Sequence, residues 1–283
     1  MKTRAWAKLN LTLDVLGKRE DGYHDLCMVM QSVTLHDTLT LEPNEGQGLR
    51  VKTNLRFLPT GDKNLAAAAA LRFWEALGRE PEHLDIEIQK RIPVCAGMAG
   101  GSSDAAAVLR ALNELAGFPF TPTELAKVGE KVGSDVPYCV LGGTALAEGR
   151  GEVLTPLPAL PPCWVVACKP DFPISTPELF ARIDSCKVRC RPDTAGMLEV
   201  LKAGSLEEVA RRMYNVFEDV LPERYQARVA EIKHVLIQKG ALGANMSGTG
   251  PTAFGLFDSE EAAREAQAAL QEGYRDTFLC RSV

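Results

Sequence analysis

Long apolar runs, paired cysteines and blocks of like charge are missing from these 283 residues. No stretch has enough consecutive apolar residues to span a bilayer. The N-terminal MKTRAWAKLNLTLDV is broken by Lys8 and Asn10, so it lacks the continuous apolar segment of a secretory signal. Eight cysteines occur without a CxxC, and only four histidines accompany them, which argues against both a zinc framework and a disulfide scaffold. The closest pair, Cys186 and Cys190, reads as reduced thiols, and a reducing cytoplasm fits best. Acidic residues (37) outnumber basic ones (32), leaving five net negative charges and no general attraction to a nucleic-acid backbone or anionic lipid. Neither nucleic acid nor membrane is therefore expected as a partner, and any phosphate handled must be met locally. The two familiar phosphate loops are absent as well. No lysine beside Ser102 or Ser103 completes GxxxxGKS or GxxxxGKT, and Gly97, Gly100 and Gly101 do not have the GxGxxG spacing.

What is present reads as a soluble globular chain, 46% hydrophobic and 24% charged, long enough for two domains. The most proline-rich segment, TPLPALPPC, sets the boundary, giving domains 1–158 and 159–283. Alternation from Ala5 to Val15 predicts a strand with Lys8, Asn10 and Thr12 on one face. Asp21-Gly22 marks a hairpin turn, and CMVMQSVTLHDTLTLEP reads as one or two further strands. Asn64 can cap a helix whose apolar face includes Leu65, Phe73 and Leu77 and which Gly78 closes. A strand with Leu84, Ile86 and Ile88 ends at Pro93, and helical spacing returns from Ala105 to Leu115. The second half reads as a strand at 164–168, several helices between 177 and 239, strands at 242–246 and 252–257, a helix at 260–272 and a strand near 277–280. The order suggests a split βαβ arrangement with extra helices.

The segment PVCAGMAGGSSDAAAV thus joins a strand to a helix through glycine. Such a turn offers unpaired backbone N–H groups and the positive end of a helix dipole, a cradle for phosphate oxygens. The plainer alternative is a tight connection with Ser102 or Ser103 as an ordinary N-cap. In KVGSDVPYC, Asp135 lies where a carboxylate would be partly desolvated, or simply turns the backbone. Lys8 reads equally as a solvated strand lysine, His24 as a hydrogen-bonded turn residue, and the second glycine loop, Ser247 to Gly250, as a β-turn.

Together, a lysine on an N-terminal strand, a glycine-serine loop before a helix, an aspartate loop and a late GTG resemble the GHMP small-molecule kinases. The motifs AKLNLTLDVLGKREDGYHDL, KRIPVCAGMAGGSSDAA, GSDVPYCVLGGTALAEGRGE and SGTGPTAFGLF occur in order along nearly the whole chain. They are most similar to the branch that phosphorylates the 2-hydroxyl of a cytidyl-diphosphate methylerythritol in the non-mevalonate route to isoprenoids. The resemblance implies an α+β, two-domain GHMP kinase fold, with a ribosomal-protein-S5-like N-terminal domain and a ferredoxin-like C-terminal one. It implies ATP as phosphoryl donor with Mg²⁺, a cytidine-bearing small molecule as substrate, and a monomer or weak homodimer. By the same resemblance Asp135 is the base and Lys8 its partner. Asn64, Lys90, Pro93, Gly97, Gly100, Gly101, Ser102 and Ser103 serve ATP, while Asn10, Tyr23, His24, Phe180, Gly248, Thr249 and Gly250 serve the substrate. Cys95, Ala96, Met98 and Ala99 stand where other members are richer in glycine. Two alternatives remain: a GHMP kinase for another small alcohol, and a non-catalytic nucleotide-binding module on the same fold.

Overall fold

The computed structural model describes residues 1–46, 48–188 and 190–283. Contacts within the chain divide it into two units, Met1–Ala7, His36–Val94 and Ala99–Gly142 in one, Lys8–Leu35, Cys95–Met98 and Gly143–Val283 in the other. Two long strands, β1 (Lys2–Lys18) and β2 (His24–Pro43), pass from one unit to the other along their length. The apolar segment after the Asp21-Gly22 turn is therefore a single strand of 20 residues, with Gly22 taking the positive φ of 84° that the turn requires.

The first unit continues with β3 (Leu49–Thr53), α1 (Leu65–Leu77), β4 (Leu84–Gln89), α2 (Gly100–Leu115), α3 (Pro122–Glu130) and α4 (Val136–Leu141). β4 is antiparallel to the end of β2, from Thr38 opposite Gln89 to Pro43 opposite Leu84, and parallel to β3. Asn64 caps α1 through its side chain and Gly78 closes it at φ 64°, as the sequence pattern requires. Alanines 66, 67, 69 and 70 of α1 and 105–107 of α2 are buried, and their small side chains let the two helices pack closely. Phe73, Trp74, Leu39, Ile86 and Leu109 fill the remaining core. Each such side chain contributes about 1.5–3 kcal/mol by leaving water. The α3 start is fixed by a capping box between Thr121 and Glu124, with Pro122 as the first helical residue.

The second unit adds β5 (Thr144–Gly149) and β6 (Val153–Pro156), a hairpin paired with the first part of β2. It then holds β7 (Trp164–Lys169), α5 (Thr176–Ser185), α6 (Thr194–Ala203), α7 (Leu206–Arg212), the two-residue β8 (Tyr214–Asn215), a 3₁₀ turn at Val216–Val220, α8 (Glu223–Gln238), β9 (Gly243–Met246), β10 (Ala253–Phe257), α9 (Glu260–Gln271) and β11 (Asp276–Arg281). The order β11-β7-β10-β9, antiparallel throughout, with α8 and α9 packed on the sheet, is the ferredoxin-like arrangement. All five residues of β10 are buried, so this strand reads as an unbroken apolar run. β8 lies parallel to β1 through Thr12 and Leu13. From Lys8 to Val15, β1 is buried on both faces, so Lys8, Asn10 and Thr12 form an interior polar row. No described helix is long and apolar enough to cross a membrane.

Candidate active site

In the first unit the functional residues gather around the N-terminus of α2. Neither Ser102 nor Ser103 caps this helix. The N-cap position belongs to Ala99, at φ 56°, and no side chain caps the first turn there. Ser103 Oγ instead donates to the carbonyl of Trp6 at 2.7 Å, while Ser102 is half-buried and Gly101 exposed. Along the approach, Cys95 (φ 53°), Gly97 (φ 71°) and Ala99 have left-handed backbones separated by residues that do not. A left-handed backbone costs an alanine or cysteine roughly 1–2 kcal/mol, so the conformation at Cys95 and Ala99 is imposed by its surroundings.

Asn64, expected near the nucleotide, uses its side chain on the chain itself. Oδ1 accepts from Ala66 N at 2.9 Å and Nδ2 donates to Pro59 O at 2.8 Å. Lys90 is buried, with its ammonium between Asp37 and Asp104. Burial alone would lower the Lys90 pKa, but the two carboxylates outweigh it and the net shift is upward. Pro93 is half-buried where the chain leaves β4. Asp135 is the residue before α4, half-buried, and its carboxylate makes no cap bond with that helix.

In the second unit, Asn10 ties the lysine of β1 to the GTG turn. Its Oδ1 accepts from Lys8 Nζ at 2.7 Å and from Gly248 N at 2.9 Å. Lys8 is only 4% exposed, so within this unit its amine is desolvated and bonded to a neutral amide. Ser247 Oγ donates to Gly97 O at 2.8 Å, and Asn215 Nδ2 donates to the carbonyls of Met246 and Gly248, both at 2.8 Å. Gly248 and Gly250 take φ of 57° and 80°, and a Cβ on Gly250 would lie 2.5 Å from Met246 Sδ, so the turn needs both glycines. Thr249 Oγ1 lies 2.8 Å from Thr176 Oγ1.

The aromatic residues of this unit form a second cluster. His24 stacks on Phe180 with ring centroids 4.5 Å apart, and Phe180 meets Phe217 edge-on at 5.0 Å. His24 Nε2 lies 2.7 Å from Asp184 Oδ1. The His24 hydrogen bond holds the Asp184 carboxyl below its usual range against the opposing effect of burial, and Lys18 adds to the lowering. Tyr23 is 57% exposed, with the Arg150 guanidinium 5.3 Å above its ring. The helical position of Phe180 thus serves this cluster, while Leu179 and Ile183 supply the buried face of α5.

The sequence reading passed over Asp37, Asn215, Asn245 and Asp184. Asp37 had a legible signal, because Val33, Leu35, Leu39 and Leu41 of β2 are all buried and an aspartate occupies the inward position between them. Asn245, whose amide donates to the carbonyls of Asn10 and Leu11, and Asn215 lie in short elements with no periodicity to expose their role. Among the described residues, no group of three His, Cys, Asp or Glu side chains is placed to hold a metal ion.

The profile of the GHMP kinases N terminal domain matches residues 64–143, and that of the GHMP kinases C terminal matches residues 197–276. The 4-diphosphocytidyl-2-C-methyl-D-erythritol kinase of Alkaliphilus metalliredigens is 42% identical over 282 residues, covering 100% of this chain and 96% of its own. That of Clostridium acetobutylicum is 39% identical over 283 residues, covering 100% of both. A solved 4-(cytidine 5'-diphospho)-2C-methyl-D-erythritol kinase superposes with a TM-score of 0.82 at 35% identity, covering 100% of this chain and 99% of that one. Homoserine kinase from Cytophaga hutchinsonii shares the fold, with a TM-score of 0.72 at 20% identity over 100% of this chain and 94% of that one.

Proposed function

The chain belongs to the GHMP kinases, and on that premise we propose that it transfers the γ-phosphoryl group of ATP to the 2-hydroxyl of 4-diphosphocytidyl-2-C-methyl-D-erythritol, giving the 2-phosphate and ADP. Its place is then the non-mevalonate route to isoprenoid precursors. The observation that carries phosphate handling is the α2 N-terminus, free of any side-chain cap and entered through left-handed residues 95, 97 and 99. The choice of alcohol rests on similarity to full-length relatives that bear this substrate in their names. Residues 1–158 and 159–283 are proposed as the two kinase domains, supported by profile matches that fall one on each side.

In this reading the glycine loop and Ser102 receive the phosphates through backbone N–H groups and the helix dipole. Asp135 accepts the proton of the 2-hydroxyl as that oxygen bonds to the γ-phosphorus and the bond to the β,γ-bridging oxygen breaks. Lys8 is given the role of meeting the negative charge that develops during transfer. Its burial beside a neutral amide supports that role, since a desolvated ammonium acts strongly on nearby anions. Positioning and electrostatics supply most of the acceleration in such transfers. Mg²⁺, held by the oxygens of the triphosphate, would offset its negative charge. The cytidine end is taken by Tyr23, an exposed ring under the Arg150 guanidinium, and by His24 and Phe180, whose stacked rings suit a base. Eight free thiols are consistent with work in a reducing cytoplasm.

The deciding experiment incubates the chain with ATP, Mg²⁺ and the cytidyl substrate and follows ADP and the phosphorylated product by mass. Transfer to that substrate and not to mevalonate is expected. Transfer to another alcohol alone, or ATP binding without any transfer, would overturn the assignment.

A further inference from the structure

The base of the glycine loop is closed by a buried cluster of three charged side chains whose work the roles above leave unexplained. Lys90 Nζ pairs with Asp37 Oδ2, lies 2.6 Å from Asp104 Oδ2 and donates to the Gly100 carbonyl at 3.3 Å. Asp37 reaches in from β2, and its second oxygen accepts from the backbone N–H of Arg91 and, at 2.8 Å, of Ile92. Asn54 holds the backbone of Lys90 from the other side, accepting from its N–H at 2.8 Å and donating to its carbonyl at 3.2 Å. One ammonium thus joins the chain just before the loop to the helix just after it.

The arrangement is costly, which is what makes it informative. Ionising both carboxylates would leave one net negative charge at side chains that are all 6% exposed or less, and burial accordingly raises the pKa of the Asp104 carboxyl. Asp104 Oδ1 is buried with no hydrogen-bond partner. Buried ion pairs of this kind are weak sources of stability compared with apolar packing, and their best-attested use is to fix one geometry among several.

We propose that Asp37 and Asp104 are positioning residues for the kinase reaction: they hold the Lys90 ammonium so that it clamps the two ends of the glycine loop in the geometry that receives the nucleotide phosphates. The inference rests on the ATP reading above and sharpens it, because Lys90 then serves ATP through the loop and not by an ion pair of its own. The left-handed backbone at Ala99, a non-glycine residue directly before Gly100, is the strain that such a clamp sustains.

The test measures KM for ATP, KM for the cytidyl substrate, kcat and Tm. In Asp37→Ala two backbone N–H groups lose their acceptor, and KM for ATP rises about tenfold. KM for the cytidyl substrate stays within about twofold, as for a site with no shared partner. An ammonium that contacted phosphate directly would be freed by the same substitution and bind ATP as tightly as before or more so, which would overturn the proposal. Lys90→Met strands two carboxylates and lowers Tm, and adding Asp104→Asn restores much of the Tm while KM for ATP stays raised. Recovery of both would reduce the cluster to charge balance and overturn it. Should the wild type transfer nothing, the kinase reading fails, and calorimetric ATP affinity, expected about tenfold weaker in Asp37→Ala, still decides the clamp.

Discussion

Burial pushes the Asp104 carboxyl from 3.8 up to about 8, with Asp37's negative charge adding to the effect and the Lys90 ammonium opposing it. The folded chain therefore binds this proton more tightly than the unfolded chain does. The stability this group contributes is full below about pH 4 and is lost as pH rises through about 8. Asp104→Asn has no proton to lose, so Tm of the wild type minus Tm of the variant should fall between those limits and level off above them. Thermal melts across pH at constant ionic strength check this, and a flat difference would mean an ordinary carboxyl. Asp135 is the contrasting residue, half-buried and without a cap bond to α4, so Asp135→Asn should leave Tm and ATP affinity near wild type. Loss of the proton acceptor should lower kcat on the order of 10²–10⁴-fold. Single-turnover transfer beside calorimetric ATP binding separates the two effects. Wild-type turnover would remove Asp135 from the reaction.

Among the elements, those with a long period were legible in sequence and those set by a single interaction were not. Asn64 and Gly78 bound α1 because capping chemistry acts within a few residues, and β1 alternates because its pleat does. At the start of α2 the plainer alternative of a serine cap fails, since the backbone turns through a left-handed Ala99 and Ser103 serves Trp6. The two-residue β8 and the inward Asp37 depend on partners distant in sequence. The glycines of the loop differ in the same physical way. A Cβ on Gly97, at φ 71°, would fall 2.1 Å from the Ser247 carbonyl oxygen, while on Gly101 it would meet the flexible end of Leu65 at 3.2 Å. Gly97→Ala should therefore cost at least about 1–2 kcal/mol from the backbone conformation alone, with the steric clash in addition. Gly101→Ala should be neutral or gain up to about 1 kcal/mol from helix propensity. Urea melts of both variants check this, and equal losses would show that the loop does not hold Gly97 in its left-handed conformation.

At the scale of the whole molecule, the residues given roles are distributed along the sequence, the α2 N-terminus and Asp135 in one unit, Lys8, the GTG turn and the aromatic cluster in the other. The units interleave along the sequence, which no shift in composition announces, so the ordered motifs were a better guide to the fold than any boundary. A kinase that recognises its substrate at an end remote from the reacting hydroxyl spends part of that binding energy on the transfer itself. Methylerythritol 4-phosphate keeps the reacting hydroxyl and lacks the base. Stacking of a base is worth about 1–3 kcal/mol and each hydrogen bond about 0.5–1.5. Its kcat/KM should therefore fall below that of the full substrate by on the order of 10–10³-fold. Tyr23 is exposed, with only the Arg150 guanidinium over its ring, so Tyr23→Ala should leave Tm unchanged. It should lower kcat/KM for the full substrate by roughly 5–150-fold and leave that for methylerythritol 4-phosphate as it was. Measuring the four rates closes a cycle between one side chain and one part of the substrate. Equal losses with both alcohols would mean that Tyr23 acts on the protein and not on the cytidine.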